Sequence, residues 1–240
     1  MLRALLPDVE WTVPLISGLE MTLNVKQHLS LLRKASRLKE VAIATQLATR
    51  VPAKGVLYDV GANIGLYSLV FAETRARHVH SFEPGVTALS FLRKNIARAK
   101  LRNVVIHPIA LTDRSGTCRF VLDAMTTATS HVAGEWEAGV DVPCADLDTY
   151  VRDQKLPVPD LVKIDVEGHD MAVLRGMRRV LSDNRPMIWL EGGSRDEQGR
   201  SESIAYLNAL GYTAWNLEQT REIQVDARDY AFLAIASARK

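Results

Sequence analysis

Two cysteines, Cys118 and Cys144, are all that 240 residues contain. So small a supply excludes a disulfide-built scaffold and suits a reducing compartment. Long apolar runs are also missing: Leu2, Leu5 and Leu6 are interrupted by Pro7, Asp8 and Glu10, and nothing later is long enough to cross a bilayer. The apolar run after Arg3 is too short for a secretory signal. The expectation is a soluble, cytoplasmic protein with no membrane partner. Neither sign of charge is in excess. Lys plus Arg number 30 and Asp plus Glu 28, a formal net charge of +2, which excludes nucleic-acid binding by bulk charge though not by a local patch. No internal repeat, no low-complexity tail and no well-spaced His/Cys constellation is present. What remains is ordinary globular composition, 47% hydrophobic and 24% charged, which excludes disordered, collagen-like and coiled-coil chains. The length favours a single core, and the order of the motifs described below takes nearly the whole chain into one unit, residues 1–50 as an N-terminal cap and residues 51–240 as its core.

The hydrophobic pattern divides the chain. Val13, Leu15, Leu19, Met21 and Leu23 alternate around Ser17-Gly18 and predict a hairpin over 9–25. Leu31, Ala35, Leu38 and Ala42 recur at helical spacing and predict one long helix over 26–49, with Arg33, Lys34, Arg37 and Lys39 on a solvated face, a phosphate-binding face being the weaker alternative. From residue 56 short apolar runs alternate with amphipathic segments. Strands are expected at 56–60, 78–82, 104–109, 161–165, 187–190, 212–216 and 232–236. Helices are expected at 65–75, 85–100, 170–182 and 201–210. Such alternation implies a mostly parallel sheet with helices on both faces. Thr117–Leu122 and Val140–Cys144 break the rhythm as an antiparallel pair that would bring Cys118 and Cys144 close as free thiols. The polar segment between them, with Met125 through His131 and Trp136, is long enough to be a functional lid.

Four places concentrate chemistry. Asp59-Val60-Gly61-Ala62-Asn63-Ile64-Gly65 leaves a buried strand and opens a helix. Its glycines permit a tight turn and close backbone approach, and the helix start offers unpaired N–H groups to a nucleotide-like ligand. A purely structural turn would look the same. Glu83-Pro84 ends the next strand, where an acidic residue can accept from both ribose hydroxyls. Asn63 stands where dinucleotide dehydrogenases carry a second glycine, which disfavours a nicotinamide cofactor. Lys163-Ile164-Asp165-Val166-Glu167-Gly168-His169-Asp170 ends a third strand in a polar cluster. A helix cap with a surface histidine would explain much of it, but Lys163 inside an apolar strand is costly unless paired or functional. Glu191 ends a fourth strand at the same sheet edge and reads equally as a loop carboxylate or a catalytic one.

Taken with Ile109-Ala110-Leu111, Ala145 through Tyr150 and Pro186 through Glu191, these motifs resemble the FkbM family of S-adenosylmethionine-dependent methyltransferases. The resemblance covers residues 10 to 236. It implies a Rossmann-like class I methyltransferase fold, a seven-stranded sheet with one reversed edge strand. It also implies S-adenosylmethionine as cofactor and a hydroxyl of a sugar, polyketide or other natural product as acceptor. By that analogy Asp59, Gly61, Ala62, Asn63 and Gly65 surround the methionine part, Glu83 and Pro84 the ribose, and Ala110 the adenine, while Asp165 faces the methyl-transfer zone. The family often has Glu where this chain has Asp170, and His169 falls where the family fixes nothing. An acceptor alcohol must lose a proton, so His169, Glu167, Asp165, Lys163 and Glu191 are the catalytic candidates, with His169 and Glu167 ranked level as base. A divalent metal is compatible with the carboxylates but not favoured. Pro143-Cys144 lacks the motifs that accompany a cytosine-methylating cysteine. The expected partner is a small-molecule acceptor, not nucleic acid; a homodimer is allowed. The competing readings are a nicotinamide oxidoreductase and a non-catalytic cofactor-binding module.

Overall fold

In the computed structural model, which describes residues 6–74, 78–122, 127, 130–132, 139–191, 197–219, 221–223 and 231–237, each expected strand forms. A hairpin of β1 (Glu10–Pro14) and β2 (Glu20–Asn24) comes first, then helices α1 (Leu29–Leu32) and α2 (Lys34–Arg50). The nucleotide-fold alternation follows with β3 (Val56–Val60), α3 (Leu66–Thr74), β4 (His78–Phe82), α4 (Val86–Arg98) and β5 (Val104–His107). Next come β6 (Ala110–Thr112), β7 (Gly116–Val121), β8 (His131–Val132), β9 (Val140–Asp146) and α5 (Leu147–Gln154). The chain ends with β10 (Leu161–Ile164), α6 (Asp170–Gly176), a π-helical turn (Val180–Asn184), β11 (Met187–Glu191), α7 (Glu197–Ala209), β12 (Tyr212–Trp215) and β13 (Ala231–Ala236).

Seven strands make the central sheet in the order β12-β13-β11-β10-β3-β4-β5. All neighbours are parallel except those of β13, which runs antiparallel to both β11 and β12. The reversed strand therefore lies one place in from the edge, not at it. The chain winds one way through β4 and β5 and the other way through β10 and β11. That makes the β3–β10 boundary the switch point, where ligands of such sheets bind beyond the carboxyl ends. A second sheet, β6-β9-β7-β8, stands beside it. There β7 and β9 pair antiparallel as expected, and Cys118 and Cys144 are buried, free and adjacent.

The cap departs from its sequence pattern. The expected long helix breaks at Arg33, which is extended (φ −68°, ψ 113°) between α1 and α2. Arg37 is buried rather than solvated. Its guanidinium donates to the carbonyls of Leu31 (2.6 Å), Leu32 (3.3 Å) and Pro14 (3.1 Å), satisfying groups left open by the end of α1. The packed face of α2 is Val41, Ala44, Leu47 and Ala48, while Ala35, Leu38 and Ala42 face outward. The sequence stripe was displaced because Arg37, a charged residue, occupies the buried side. Val13, Met21, Leu23 and these α2 residues join Leu57, Leu69, Phe71 and Leu92 in one core, so the cap is continuous with the sheet's packing. Asn95, fully buried, ties the two: its Nδ2 donates to the carbonyls of Thr22 and Ile64, and its Oδ1 accepts from Thr22 N–H. No helix among the described residues is long and apolar enough to cross a membrane.

Candidate functional site

The turn from β3 into α3 is shaped by a close approach. Gly61 has φ 73°, and a Cβ there would fall onto the Asp165 carbonyl oxygen, so glycine alone fits. Gly65 (φ 95°) abuts Leu92 and lines neither of the two clefts described below. Asn63 and Glu167 hold left-handed backbone (φ 50° and 47°), the kind of local strain that collects at binding sites.

Beneath this turn lies a buried ion cluster. Lys163 and Asp59 face each other across β10 and β3, Nζ to Oδ1 3.3 Å. The same Nζ is 3.5 Å from Asp165, donates to the Gly61 carbonyl (2.8 Å) and sits over the Tyr67 ring. Asp59 also accepts from Ser68 (2.6 Å), which meets Ser81 (2.7 Å). Burial works to lower the Lys163 pKa, but Asp165, Asp59 and Glu191 outweigh it and raise it, keeping the ammonium charged. Asp59, expected beside the methionine part, lines neither cleft; its side chain turns down to Ser68 on α3. Lys163 is thereby explained as the clamp on the glycine turn.

Two clefts open at the carboxyl ends of the strands. The first, about 670 Å³, is bounded by Gly61, Asn63, Glu83 and Pro84, by apolar Phe82, Ile109, Ala110 and Leu111, and by Asp165 and Glu167. Glu83 accepts from Asn63 N–H (2.8 Å) and Gly85 N–H (2.7 Å). Burial pushes its carboxyl up to about 7 against those hydrogen bonds. Of the expected lid, Thr127, Ser130 and His131 border this cleft, while Met125 and Trp136 lie outside the described residues. Thr127 belongs to a chain of hydrogen bonds. Asn24 N–H donates to His28 Nδ1 (2.9 Å), leaving Nε2–H to reach Thr127 (3.0 Å), whose hydroxyl donates to Asn63 Oδ1 (2.6 Å). Burial lowers the His28 pKa to about 4, keeping it neutral in that role.

The second cleft, about 830 Å³, shares Gly61, Asn63 and Asp165 with the first and adds Ala62, Tyr67, Lys163 and Glu191, with Ser30, Leu31, Ser36 and Glu40 from the cap. Tyr67 Oη is 2.9 Å from Glu40 and 3.4 Å from Glu191. Burial, with Asp165 and Glu40 adding to it, raises the Glu191 carboxyl to about 8. Of the catalytic candidates, Asp165, Lys163 and Glu191 thus meet here, and Glu167 stays in the first cleft. His169 precedes α6 and borders neither cleft; Glu167 and Gly168, both left-handed, separate it from Asp165. Asp170 starts α6 as expected and is pushed up to about 7 by burial and by Asp165. Glu40 and Tyr67 escaped notice in the sequence. Glu40 lies on the cap helix, whose packed face is not the one its apolar spacing predicts, and Tyr67 looks like any core aromatic. Among the described residues no group of three or more His, Cys, Asp or Glu is placed to hold a metal.

Comparison with known proteins meets this geometry. Residues 59–214 match the model of the methyltransferase FkbM domain. The hexuronic acid methyltransferase AglP of Haloferax volcanii is 32% identical over 126 residues, 52% of this chain and 51% of that protein. The chain therefore spans about half the length of that curated relative. A methyltransferase FkbM from Methylobacillus flagellatus superposes with a TM-score of 0.52 at 14% identity, over 76% of this chain and 44% of that one. The tRNA (uracil-54, C5)-methyltransferase of Pyrococcus abyssi, solved with S-adenosyl-L-homocysteine, gives 0.50 at 10% identity, over 94% and 43%. At such identities the structural likenesses concern the fold.

Proposed function

The chain belongs to the FkbM methyltransferase family, and from that premise we propose that it moves a methyl group from S-adenosylmethionine to a hydroxyl of a sugar-type small molecule. The observation that carries this reading is the pair of clefts meeting along Gly61, Asn63 and Asp165. A two-substrate transfer needs two sites that touch, and alignment across such a boundary is the main catalytic task. The first cleft suits the cofactor. A glycine turn that no side chain could replace faces the helix start, Glu83 lines the cleft as an acceptor available to ribose hydroxyls, and Phe82, Ile109 and Leu111 offer an apolar seat for a base. S-adenosylmethionine, held by Gly61, Asn63 and Glu83, would supply an activated sulfonium methyl to the acceptor hydroxyl. The chain's own residues hold and orient. Lys163 fixes the Gly61 carbonyl, Thr127 fixes the Asn63 amide, and Asp165 stands at the shared wall.

The second cleft suits a hydroxylated acceptor. Its wall carries hydroxyls from Ser30, Ser36 and Tyr67 beside the carboxylates of Glu40, Asp165 and Glu191. The sugar class is favoured by the relative named for hexuronic acid. Asp165 and Glu191, which line this cleft, are the groups we assign to receive the acceptor proton. Calorimetry with S-adenosylmethionine and with NAD tests the first cleft: only the former should bind, and Glu83→Ala should weaken it on the order of tenfold or more, the loss expected when hydrogen bonds accepted by a carboxylate are removed. NAD binding, or unchanged affinity in the variant, overturns the assignment. Activity that survives chelation would agree with chemistry needing no metal.

A further inference from the structure

Between the second cleft and the cap, one phenol bridges two carboxylates. Tyr67 Oη lies 2.9 Å from Glu40 Oε2 and 3.4 Å from Glu191 Oε2. A phenol has a single proton, so it can donate to one carboxylate only. The shorter contact assigns that proton to Glu40. Along the longer contact the phenol is also within reach of the Glu191 carboxylate, and once Glu191 has taken up a proton the same contact lets it donate to the tyrosine oxygen. All three side chains border the same cleft, Glu191 from the end of β11, Tyr67 from α3 and Glu40 from the half-buried face of α2.

We propose that Glu191, Tyr67 and Glu40 form a proton-exit relay in which Glu191 receives the acceptor's hydroxyl proton and the cap residue Glu40 passes it to solvent. The inference rests on the methyl-transfer reading above and adds two residues to it. The balance is simple. The acceptor O–H bond breaks and its proton joins the Glu191 carboxylate. That proton then moves to the Tyr67 oxygen as the phenol's own proton moves to Glu40, and Glu40 releases it to water. One proton leaves the site and each of the three groups returns to its starting form. The transfer through Tyr67 is concerted, because burial together with Glu191, Glu40 and Asp165 makes a free tyrosinate unfavourable. The charged and titratable groups facing Glu191 are Asp165, Glu40, Lys163 and Tyr67. Asp165 and Glu40 favour its protonated form, whereas Lys163 and the Tyr67 hydrogen bond favour its carboxylate, which places proton uptake and release within reach of neutral pH.

Two measurements on the full chain test the relay. The first needs no acceptor. With glutamate carboxyl carbons labelled, and Glu191→Gln used to assign the signal, the Glu191 resonance should titrate far above ordinary carboxylates. Its midpoint should fall by roughly one pH unit in Glu40→Gln, where a neighbouring charge is gone. It should also move in Tyr67→Phe, where the bridge is gone. The second follows methyl transfer to a panel of methyl hexosides and hexuronic acids. Tyr67→Phe and Glu40→Gln should each lower kcat on the order of tenfold to a hundredfold, with KM for both substrates and the melting temperature nearly unchanged, as expected when proton transfer rather than binding is damaged. A Glu191 midpoint indifferent to both variants, or Tyr67→Phe turning over at the native rate, overturns the relay. If the titrations behave as stated but no member of the panel is methylated, the acceptor class fails and the relay stands on its titration.

Discussion

Replacing Lys163 by Met tests the buried cluster that supports the whole site. The side chain is 3% exposed and its partner Asp59 0%. In the variant the Asp59 carboxylate keeps Ser68 but loses the Lys163 ammonium 3.3 Å away, and the Gly61 carbonyl loses a donor at 2.8 Å. Asp165 loses a partner too, but its side chain is 36% exposed and water can replace the ammonium. The dominant effect is therefore one stranded buried charge, which costs about 3–5 kcal/mol. That is a large part of the roughly 5–15 kcal/mol that hold a domain folded. For a chain of this length it corresponds to a melting point lower by roughly 6–20 °C. Urea denaturation followed by tryptophan fluorescence should show a lower midpoint at unchanged slope. Adding Asp59→Asn should recover about 1–3 kcal/mol, because the amide keeps the Ser68 hydrogen bond and removes the stranded charge. A loss below about 1 kcal/mol in Lys163→Met, or an Asp59→Asn change that merely adds its own cost, would refute the argument that this pair is an energetic unit.

Gly61→Ala should be more damaging than its size suggests, since the new methyl meets the Asp165 backbone at a positive φ. A loss of at least about 2 kcal/mol in stability is expected, with S-adenosylmethionine affinity falling in calorimetry. Unchanged affinity would mean that the turn does not face the cofactor. Stability against pH is set by two opposed groups of buried residues. Burial lowers His28, His80 and His107 to about 4, and His107 with His78 adds to the effect on His80, so the unfolded chain binds their protons first as pH falls below 6.5. Burial raises Glu83 and Asp170 to about 7 and Glu191 to about 8, so the folded chain keeps protons that the unfolded chain releases above about 4. The two sets offset each other between pH 4.5 and 6.5, and only the carboxyls act above that. Denaturation midpoints should be nearly level from about pH 5 to 6.5 and then decline, by on the order of 2 kcal/mol, towards pH 8. A stability maximum at pH 8 would contradict this balance.

Much of this molecule is determined locally. Short apolar runs such as Val56–Val60 and Leu161–Ile164 are buried on both faces of a sheet and read as strands because nothing polar interrupts them. Gly61 announces a turn because no other residue tolerates its backbone. Glu83, Asp165 and Glu191 were visible as acidic residues at the ends of parallel strands, since such strands bring their carboxyl ends to one edge. What the pattern could not decide depends on partners distant in the chain. Arg37 reads as surface charge, and becomes a buried cap only because the hairpin and α1 present carbonyls to it. Asp59 reads as a ligand for the cofactor, and is instead claimed by Ser68 and Lys163. The π-helical turn after α6 and the position of β13 inside the sheet edge likewise follow from packing rather than periodicity. His169 has the chemistry of a base but lines neither cleft, and Glu40 lines the second without any local sign in the sequence. Residue type sets what a side chain can do; only the meeting of elements far apart in sequence sets what it faces, because charge and hydrogen-bond energies depend on distance and burial that no window of sequence contains.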